Sequence, residues 1–238
     1  SIGLVGSEMC IRDSLDIAVD PLEGTNFAAK NIPGAISVLA ISEKGNLFNA
    51  PETYMNKIAV GKDVPFDATD LDYPIKKNIS NIAEAKNKKI SELTVCILDR
   101  PRHKKIIDEL KMLDVNLKLI SDGDICGALS VTDNKYKTDL FLGIGGGPEG
   151  VISAAALDAY GCKFQGRFIF DTDQDKNRAK KMGIMDLDKK YELNEIVKGD
   201  SIFCATGITN TEIVAAIKKN NTKFITETLV THKETTIE

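Results

Sequence analysis

The stretch Leu-Asp-Ile-Ala-Val-Asp-Pro-Leu-Glu-Gly-Thr, residues 15–25, joins an apolar run to two carboxylates and a glycine-threonine turn. Pro21 fixes its own φ and keeps the chain from continuing as sheet, so Asp20 and Glu23 are expected at a turn where both can face one pocket. Mg²⁺ and Mn²⁺ prefer carboxylate and carbonyl oxygens, which these two acids and the carbonyl of Leu22 could supply.

The end of this stretch suits a phosphate group. Gly24 lets backbone N–H groups approach a phosphate closely, and Thr25, if it opens a helix, adds a hydroxyl that could orient a water molecule. A solvated acidic Asp-Pro turn is an equally good interpretation of the same residues. The stretch alone therefore leaves a metal and phosphate site and an exposed turn as alternatives.

The rest of the chain alternates between patterns typical of strands and of helices. Strands are predicted over residues 15–19, 35–41, 47–49, 93–98, 117–120, 139–144, 167–170, 201–205 and 224–232, with 35–41 and 47–49 forming a hairpin. Helices are predicted over residues 102–112, 124–129, 149–160, 173–182 and 211–218. This alternation predicts an α/β fold with helices on both faces of a sheet.

A glycine loop at residues 145–150 supports two competing functions. It matches G-x-G-x-x-G between a predicted strand and a helix, and Asp171 closes the next strand about twenty residues later, as in a dinucleotide-binding fold. Against this, Glu149 would place a negative charge where a pyrophosphate should bind. A metal ligand, or simply a favourable charge at a helix N-terminus, explains Glu149 equally well.

Three further segments carry chemistry that has ordinary explanations too. Arg100 and Arg102 at a strand-to-helix turn could clamp a phosphate, or be solvated. The acids of residues 121–124 could bind sugar hydroxyls, or cap a helix. Tyr54 could donate a hydrogen bond from its phenol, or pack half-buried. His103 is expected in an exposed first turn and has no assigned role.

Taken in order, residues 20–25, 50–55, 100–103, 121–124, 143–150 and 205–209 resemble the lithium-sensitive phosphatase superfamily, and within it class II fructose-1,6-bisphosphatase. The resemblance implies a layered sugar-phosphatase fold of alternating sheets and helices, with Mn²⁺ or Mg²⁺ as cofactor. It implies hydrolysis of the 1-phosphate of fructose 1,6-bisphosphate in gluconeogenesis, and some relatives also cleave sedoheptulose 1,7-bisphosphate.

The resemblance also implies roles for individual residues. The implied metal ligands are Asp20, Glu23 and Glu149, and the implied catalytic residues are Thr25 and Glu23. The implied substrate contacts are Glu23, Gly24, Thr25, Tyr54, Arg100, Pro101, Arg102, Asp122, Gly123, Asp124 and Gly146.

The first fourteen residues do not fit this family. Residues 4–14 resemble the translation of a sequencing adapter, so a non-native tail is expected over 1–14, and an ordinary mobile terminus is the alternative. The adapter interpretation implies a missing N-terminal portion, which in the family supplies an aspartate and a glutamate to the metal site. Residues 15–88 and 89–238 are then expected as an N-terminal metal-motif part and a C-terminal α/β part, with a junction near 78–89.

Composition is that of a soluble enzyme. The 238 residues are 42% hydrophobic and 28% charged, with a formal net charge of −4. The sequence has no block of like charges that would favour binding to nucleic acid or to an anionic membrane. Five scattered cysteines predict free thiols in a reducing compartment, and two histidines exclude a histidine-rich metal centre. The chain is expected to be cytoplasmic and a dimer or tetramer, without an organic cofactor.

Three functions therefore compete. The first is a metal-dependent sugar bisphosphatase, with the chain impaired if it is truncated. The second is a nicotinamide-dependent oxidoreductase that uses residues 145–150. The third is an inactive fragment whose pocket still binds sugar phosphates.

Overall fold

A computed structural model describes residues 14–233 of the chain as two main sheets with helices between and beside them. The first sheet is antiparallel with strand order β1-β2-β9-β12. Its strands are β1 (Leu15–Glu23), β2 (Ile36–Glu43), β9 (Ser201–Gly207) and β12 (Thr228–His232). Burial alternates along β2, where Ile36, Val38 and Ala40 point inward, so one face of this sheet belongs to the core.

The second sheet has six strands in the order β5-β4-β6-β3-β7-β8. Its strands are β3 (Tyr54–Val60), β4 (Thr94–Leu98), β5 (Asn116–Ile120), β6 (Leu140–Gly146), β7 (Lys163–Ile169) and β8 (Lys190–Glu192). Strand β4 is parallel to β5 and β6, and the other pairs are antiparallel. Strand β3 therefore lies inside this sheet, antiparallel to both of its neighbours.

The helices form layers against these sheets. They are α1 (Thr25–Lys30), α2 (Ile75–Ala85), α3 (Lys104–Met112), α4 (Asp124–Leu129), α5 (Gly147–Ala159), α6 (Asp173–Lys181) and α7 (Leu193–Ile196). Helix α5 packs against strands of both sheets and is buried on nearly all sides, with small side chains at residues 153–156 that permit a close approach. Helices α2 and α3 cover the opposite face of the six-stranded sheet. The predicted layered α/β architecture is confirmed.

Two predicted elements are wrong, and the predicted strand over residues 224–232 is divided into two strands, Lys223–Ile225 and Thr228–His232, in different sheets. Residues 47–49 do not pair with β2 in a hairpin, because β2 is already flanked by β1 and β9, and Leu47 forms only an isolated bridge with Val197. Residues 211–218 are not helical. Their amides bond to distant groups instead, as when Ala215 N–H donates to the Glu227 carboxylate at 2.8 Å. The chain continues into a short hairpin, β10 (Lys218–Asn220) and β11 (Lys223–Ile225).

Both main sheets combine strands from either side of residue 88. The predicted division into residues 15–88 and 89–238 therefore does not coincide with the division into sheets. The predicted tail, residues 1–14, lies outside the described residues except for Ser14. In the part of the chain that the structure covers, no helix is both long and apolar enough to cross a membrane.

Candidate functional site

The acidic stretch that follows the first apolar run forms an irregular continuation of β1. Asp20 pairs with Val38 and Glu23 pairs with Ile36, and the register shifts between these two positions, at Pro21. The strand therefore extends to Glu23, further than the predicted end at residue 19. A shift of this kind redirects side chains at a strand end, because an irregular residue cannot pair along the ladder.

Glu23 is buried, with 5% of its surface exposed, and its two oxygens have different environments. Its Oε1 accepts a hydrogen bond of 2.5 Å from the amide of Ile125 in the first turn of α4. Within residues 14–233 no donor reaches Oε2. Burial, with added repulsion from Asp124, Asp20 and Glu149, raises the pKa of this carboxyl well above its ordinary value of 4.5.

Gly24 and Thr25 occupy the start of α1. Gly24 adopts a φ of +76°, and a Cβ there would lie 2.9 Å from the ring of Phe27, so both the conformation and the space require glycine. Thr25 is the first residue of the helix, as predicted, and is exposed to solvent beside Glu23. Its hydroxyl is therefore available to a ligand or a water molecule.

Asp124 opens α4 and is paired with a lysine that the sequence analysis did not single out. The ammonium of Lys57, in the middle of β3, donates to Asp124 Oδ2. Lys57 has no exposed surface, and Asp124 Oδ1 has no partner among the described residues. One signal was available: a charged residue lies in the run from Met55 to Val60, which is otherwise mostly apolar. A buried lysine in such a strand needs a buried partner.

The absence of side chains at Gly145 and Gly146 leaves room for two carboxylates. A Cβ on Gly145 would lie 2.3 Å from Asp124 Oδ2, and one on Gly146 would lie 1.8 Å from Glu149 Oε2. Glu149 sits in the first turn of α5, and burial raises its pKa while the nearby charge of Lys57 opposes that change. The acids thus occupy the volume that a pyrophosphate would need.

The sheet topology also argues against the dinucleotide interpretation. In a dinucleotide-binding unit the strand before the glycine loop and the strand that follows its helix are adjacent and parallel. Here β3 lies between β6 and β7 and is antiparallel to both. The proposed use of residues 145–150 for a nicotinamide cofactor is therefore not supported.

The two arginines lie at the turn between β4 and α3. Arg102 donates from Nε and Nη2 to the carbonyl of Ile144, at 3.0 and 2.8 Å, and its guanidinium lies 4.8 Å from the centre of the Tyr54 ring. Arg100 makes a long contact of 3.5 Å with Asp122 Oδ1. Pro101 begins the short 3-10 turn that separates β4 from α3 and carries the two arginines.

His103 is buried, contrary to the prediction of an exposed first turn. The amide of Ile144 donates to His103 Nε2 at 2.7 Å, so Nδ1 carries the hydrogen that is donated to the carbonyl of Leu98, also at 2.7 Å. Burial lowers the pKa of the imidazole below its ordinary value of 6.5. The side chain joins the ends of β4 and β6 and keeps the arginine turn in place.

The conformation of residues 121–124, the segment predicted to contact the sugar, depends on Gly123. This glycine has a φ of +85° and immediately precedes α4. Asp122 is half-buried, and its Oδ2 accepts a hydrogen bond of 3.3 Å from the side chain of Asn26. Tyr54 is 46% exposed, so its phenol is free to reach a ligand. The helix-capping interpretation of the acids is not needed, since no side-chain hydrogen bond caps α4.

Most of these residues line one cavity of about 220 Å³. It contains every predicted site residue except Pro101 and Gly123, and it adds Leu22, Leu98 and Gly145. The acids that come from β1, α4 and α5 form its carboxylate wall, and Arg100 and Arg102, from the turn between β4 and α3, form its arginine wall. A cavity lined by both kinds of group can bind a molecule with two anionic ends, one held by arginine and one by a cation.

The carboxylate side has the chemistry of a divalent-metal site. The donors are oxygens, and two of the buried ones, Glu23 Oε2 and Asp124 Oδ1, lack a hydrogen-bond donor among the described residues. Burial, and then repulsion from neighbouring acids, raises the pKa values of Asp20, Glu23 and Glu149, and a cation would relieve that repulsion. Among residues 14–233, no three His, Cys, Asp or Glu side chains are grouped closely enough to hold an ion by themselves. Any ion bound here would need further oxygen ligands.

Comparisons with a family model and with individual known proteins both point to one family. The family model described as bacterial fructose-1,6-bisphosphatase, glpX-encoded, matches residues 3–238. A Synechococcus sp. (strain JA-3-3Ab) protein named D-fructose 1,6-bisphosphatase class 2/sedoheptulose 1,7-bisphosphatase is 42% identical over 229 residues, which cover 91% of this chain and 66% of that protein. A protein of the same name from Gloeobacter violaceus is 39% identical over 94% of this chain and 69% of its own length. The chain thus spans about two thirds of the length of such relatives.

Proposed function

The chain belongs to the family of bacterial, glpX-encoded fructose-1,6-bisphosphatases, and on this premise we propose that it hydrolyses the 1-phosphate of fructose 1,6-bisphosphate. The products would be fructose 6-phosphate and inorganic phosphate. The observation that carries the proposal is that one cavity of about 220 Å³ is lined both by two arginines and by Asp20, Glu23 and Glu149, three carboxylates outside the ion pairs of the described residues. A sugar bisphosphate presents the complementary pattern, since it has a phosphate at each end.

The arginine wall would bind the phosphate that is not cleaved. Guanidinium groups bind phosphate oxygens through paired N–H donors and remain charged at any physiological pH. Arg102 is held against Ile144 and Tyr54, so it loses little conformational freedom when a phosphate arrives. Arg100 lies beside Asp122 and links the arginine wall to residues 121–124, the proposed sugar contacts.

The carboxylate wall would bind Mn²⁺ or Mg²⁺ through Asp20, Glu23 and Glu149. When bound, such an ion neutralises phosphoryl oxygens and lowers the pKa of a water molecule. Glu23 and Thr25 are the proposed catalytic residues: Glu23 would contribute the oxygen that no donor of the described residues reaches, and Thr25 would orient the attacking water through its exposed hydroxyl. The remaining ligands of the ion would come from the phosphate and from water.

Sugar hydroxyls would be bound between the two walls. Asp122 and Asp124 each offer carboxylate oxygen, Tyr54 offers a phenol, and Gly146 offers backbone atoms at the cavity surface. The relatives' names include sedoheptulose 1,7-bisphosphatase, and we propose the seven-carbon bisphosphate as a second substrate to be compared with the first. Both substrates carry phosphates at their two ends, so the same two walls would serve them.

We also propose a cytoplasmic homo-oligomer. Four cysteines of the described part are free thiols, which suits a reducing compartment. The outer face of the four-stranded sheet carries exposed apolar side chains, among them Ile17 and Val230, and such surfaces are commonly covered by protein. Light scattering of the purified chain would give its oligomeric state.

The test is release of inorganic phosphate from fructose 1,6-bisphosphate with and without Mn²⁺. The chain should be assayed beside a version extended to the full length of the Synechococcus relative with that relative's remaining sequence. Manganese-dependent release by either protein supports the proposal, and release by the extended version alone supports the impaired-fragment hypothesis. No release by either would refute the phosphatase activity.

The role of Glu149 needs its own variant. Glu149→Gln keeps the side-chain volume and removes the charge, so we expect a loss of manganese-dependent phosphate release of at least tenfold, because a carboxylate ligand is lost. Glu84→Gln is a suitable control, since Glu84 is an exposed acid on α2 that does not line this cavity. Equal effects of the two substitutions would contradict the assignment.

A further inference from the structure

Lys57 occupies a position where a lysine is unusual. It lies in β3, in the interior of the six-stranded sheet, and none of its surface is exposed. Both of its cross-strand neighbours are glycines, Gly143 and Gly166. A Cβ on Gly150 of α5 would lie 3.2 Å from Lys57 Cε. The surrounding chain therefore leaves room for this side chain, although burying an ammonium is strongly unfavourable without a partner.

The partner of Lys57 is one oxygen of Asp124, and the other oxygen of that carboxylate is free. Lys57 Nζ donates to Oδ2, while Oδ1 has no donor in the described structure. Because Asp124 is only 8% exposed, its carboxylate cannot exchange this arrangement for bulk water. The ion pair thus leaves Oδ1, which is buried, as the oxygen of Asp124 without a partner among the described residues.

The acids that line the cavity fall into two groups by their ion pairs. Asp122 pairs with Arg100, and Asp124 pairs with Lys57. Within residues 14–233, none of the ion pairs includes Asp20, Glu23 or Glu149. The unpaired group matches the proposed metal ligands, and the paired group matches the proposed sugar contacts.

We propose that Lys57 is a positioning residue that keeps Asp124 from serving as a metal ligand and leaves its free oxygen for a hydroxyl of the substrate. This inference rests on the proposed function. A carboxylate whose charge is already balanced by an adjacent ammonium attracts a divalent cation less than an unpaired one. Its free oxygen still accepts a hydrogen bond from a neutral hydroxyl. Lys57 therefore separates four neighbouring carboxylates into three for the metal and one for the sugar.

Binding of Mn²⁺ alone tests the first half of this inference. The proteins are the wild-type chain, Lys57→Met, the double variant Lys57→Met/Asp124→Asn, and Glu149→Gln, with free Mn²⁺ measured by electron paramagnetic resonance. We expect Lys57→Met to bind Mn²⁺ at least threefold more tightly, because a carboxylate becomes available. The double variant removes both charges and should stay within threefold of wild type, whereas Glu149→Gln should lose at least tenfold.

Two results would overturn the inference. Mn²⁺ binding by the double variant as weak as that of Glu149→Gln would make Asp124 a metal ligand. Unchanged or weaker binding by a folded Lys57→Met protein would show that Lys57 does not restrain Asp124. If Lys57→Met fails to fold because it leaves a buried charge unpaired, the double variant still decides, since it leaves neither partner charged.

Binding of fructose 6-phosphate by calorimetry tests the second half. The double variant should bind this product at least tenfold more weakly than wild type while retaining Mn²⁺ affinity. A purely structural role would lower both affinities together with the melting temperature, and unchanged product binding would overturn the sugar-contact role. Absence of phosphate release from fructose 1,6-bisphosphate by both the chain and its extended version, with the Mn²⁺ pattern intact, would refute the proposed function and not the separation of the acids.

Discussion

Arg102 and His103 are neighbours in sequence with opposite environments. Arg102 is exposed and holds the carbonyl of Ile144, while His103 is buried and accepts from the amide of the same residue. One residue of β6 is therefore contacted through its two backbone groups by consecutive side chains. This arrangement couples the position of a phosphate-binding guanidinium to the packing of the sheet.

Arg102→Lys tests the guanidinium itself. A lysine retains the charge but cannot donate two bonds to one carbonyl or stack on Tyr54 with a planar group. We expect KM for fructose 1,6-bisphosphate to rise about tenfold, equivalent to about 1.4 kcal/mol, with a smaller change in kcat. Arg178→Lys, an exposed arginine of α6, is the matched control. A change confined to kcat would contradict a role in holding the retained phosphate.

His103→Leu tests the buried imidazole. Two backbone groups lose their partner, so we expect a loss of about 2–4 kcal/mol in the free energy of unfolding at pH 7.5. The folded pKa lies below the ordinary value of 6.5, so the unfolded chain binds a proton more readily, and wild-type stability falls as the pH drops through 6.5. The difference in the free energy of unfolding between wild type and His103→Leu should therefore be smaller at pH 5.5 than at pH 7.5.

Urea unfolding at the two pH values measures this gap. His232→Gln serves as control, since His232 is an exposed histidine on β12. A gap that stays constant between pH 7.5 and 5.5 would show that the histidine titrates alike in the folded and unfolded states.

At the scale of the elements, the turn from β6 into α5 determines how closely the acids approach. Gly145 and Gly146 lie where a side chain would overlap Asp124 and Glu149. The helix then begins with Pro148 in its first turn, which suits a position without an available amide donor. The glycine motif is thus required by packing of carboxylates, although its spacing also matches a nucleotide-binding loop.

Gly145→Ala tests this packing. The added methyl group would displace Asp124, so we expect a loss of about 1–3 kcal/mol in stability and at least a tenfold loss of phosphate release per folded molecule. Gly45→Ala is the control, because its φ is +88° and a Cβ there meets nothing within 4 Å. That variant should lose about 1–2 kcal/mol through backbone strain with no loss of activity. Equal activity losses would argue against the packing explanation.

At the scale of the whole molecule, α5 packs against one face of the four-stranded sheet, and among residues 14–233 the other face carries exposed apolar side chains. The register aligns Ile17 with Ile41, Ile41 with Ile202, and Cys204 with Val230, so apolar side chains form a continuous outer surface. Several of them are exposed, including Ile202 at 42% and Val230 at 59%. A surface of this kind promotes association between proteins.

Substitution of this outer surface should reduce self-association. The pair Ile202→Thr and Val230→Thr keeps β-branched side chains while adding polar groups, so we expect less association with a stability change below about 1 kcal/mol. Val38→Thr on the inner face is the control and should lose about 1–3 kcal/mol, because it buries a hydroxyl. Sedimentation velocity measures association, and an unchanged profile would exclude this surface as its cause.

Local patterns predicted most of the elements and the residues that the cavity brings together, because four of the six motifs lie at strand-to-helix junctions. Tertiary contacts decided the rest. The segment from residue 211 to 218 has a helical pattern, but its amides donate to the side chains of Glu227 and Asn210. Lys57 could not be paired with Asp124 from sequence, since the two are 67 residues apart and their side chains meet only in the folded chain.

The central position of α5 has a consequence for the exchange of backbone hydrogens with solvent. Glu149 belongs to a helix enclosed by both sheets, whereas Asp20 and Glu23 belong to β1, an edge strand, and Thr25 to a helix of six residues. Amides in α5 should exchange only when the whole molecule unfolds, while those of β1 and α1 exchange through smaller openings. Deuterium would therefore label the amides around Asp20, Glu23 and Thr25 long before those around Glu149, and heating would separate these acids before the core melts.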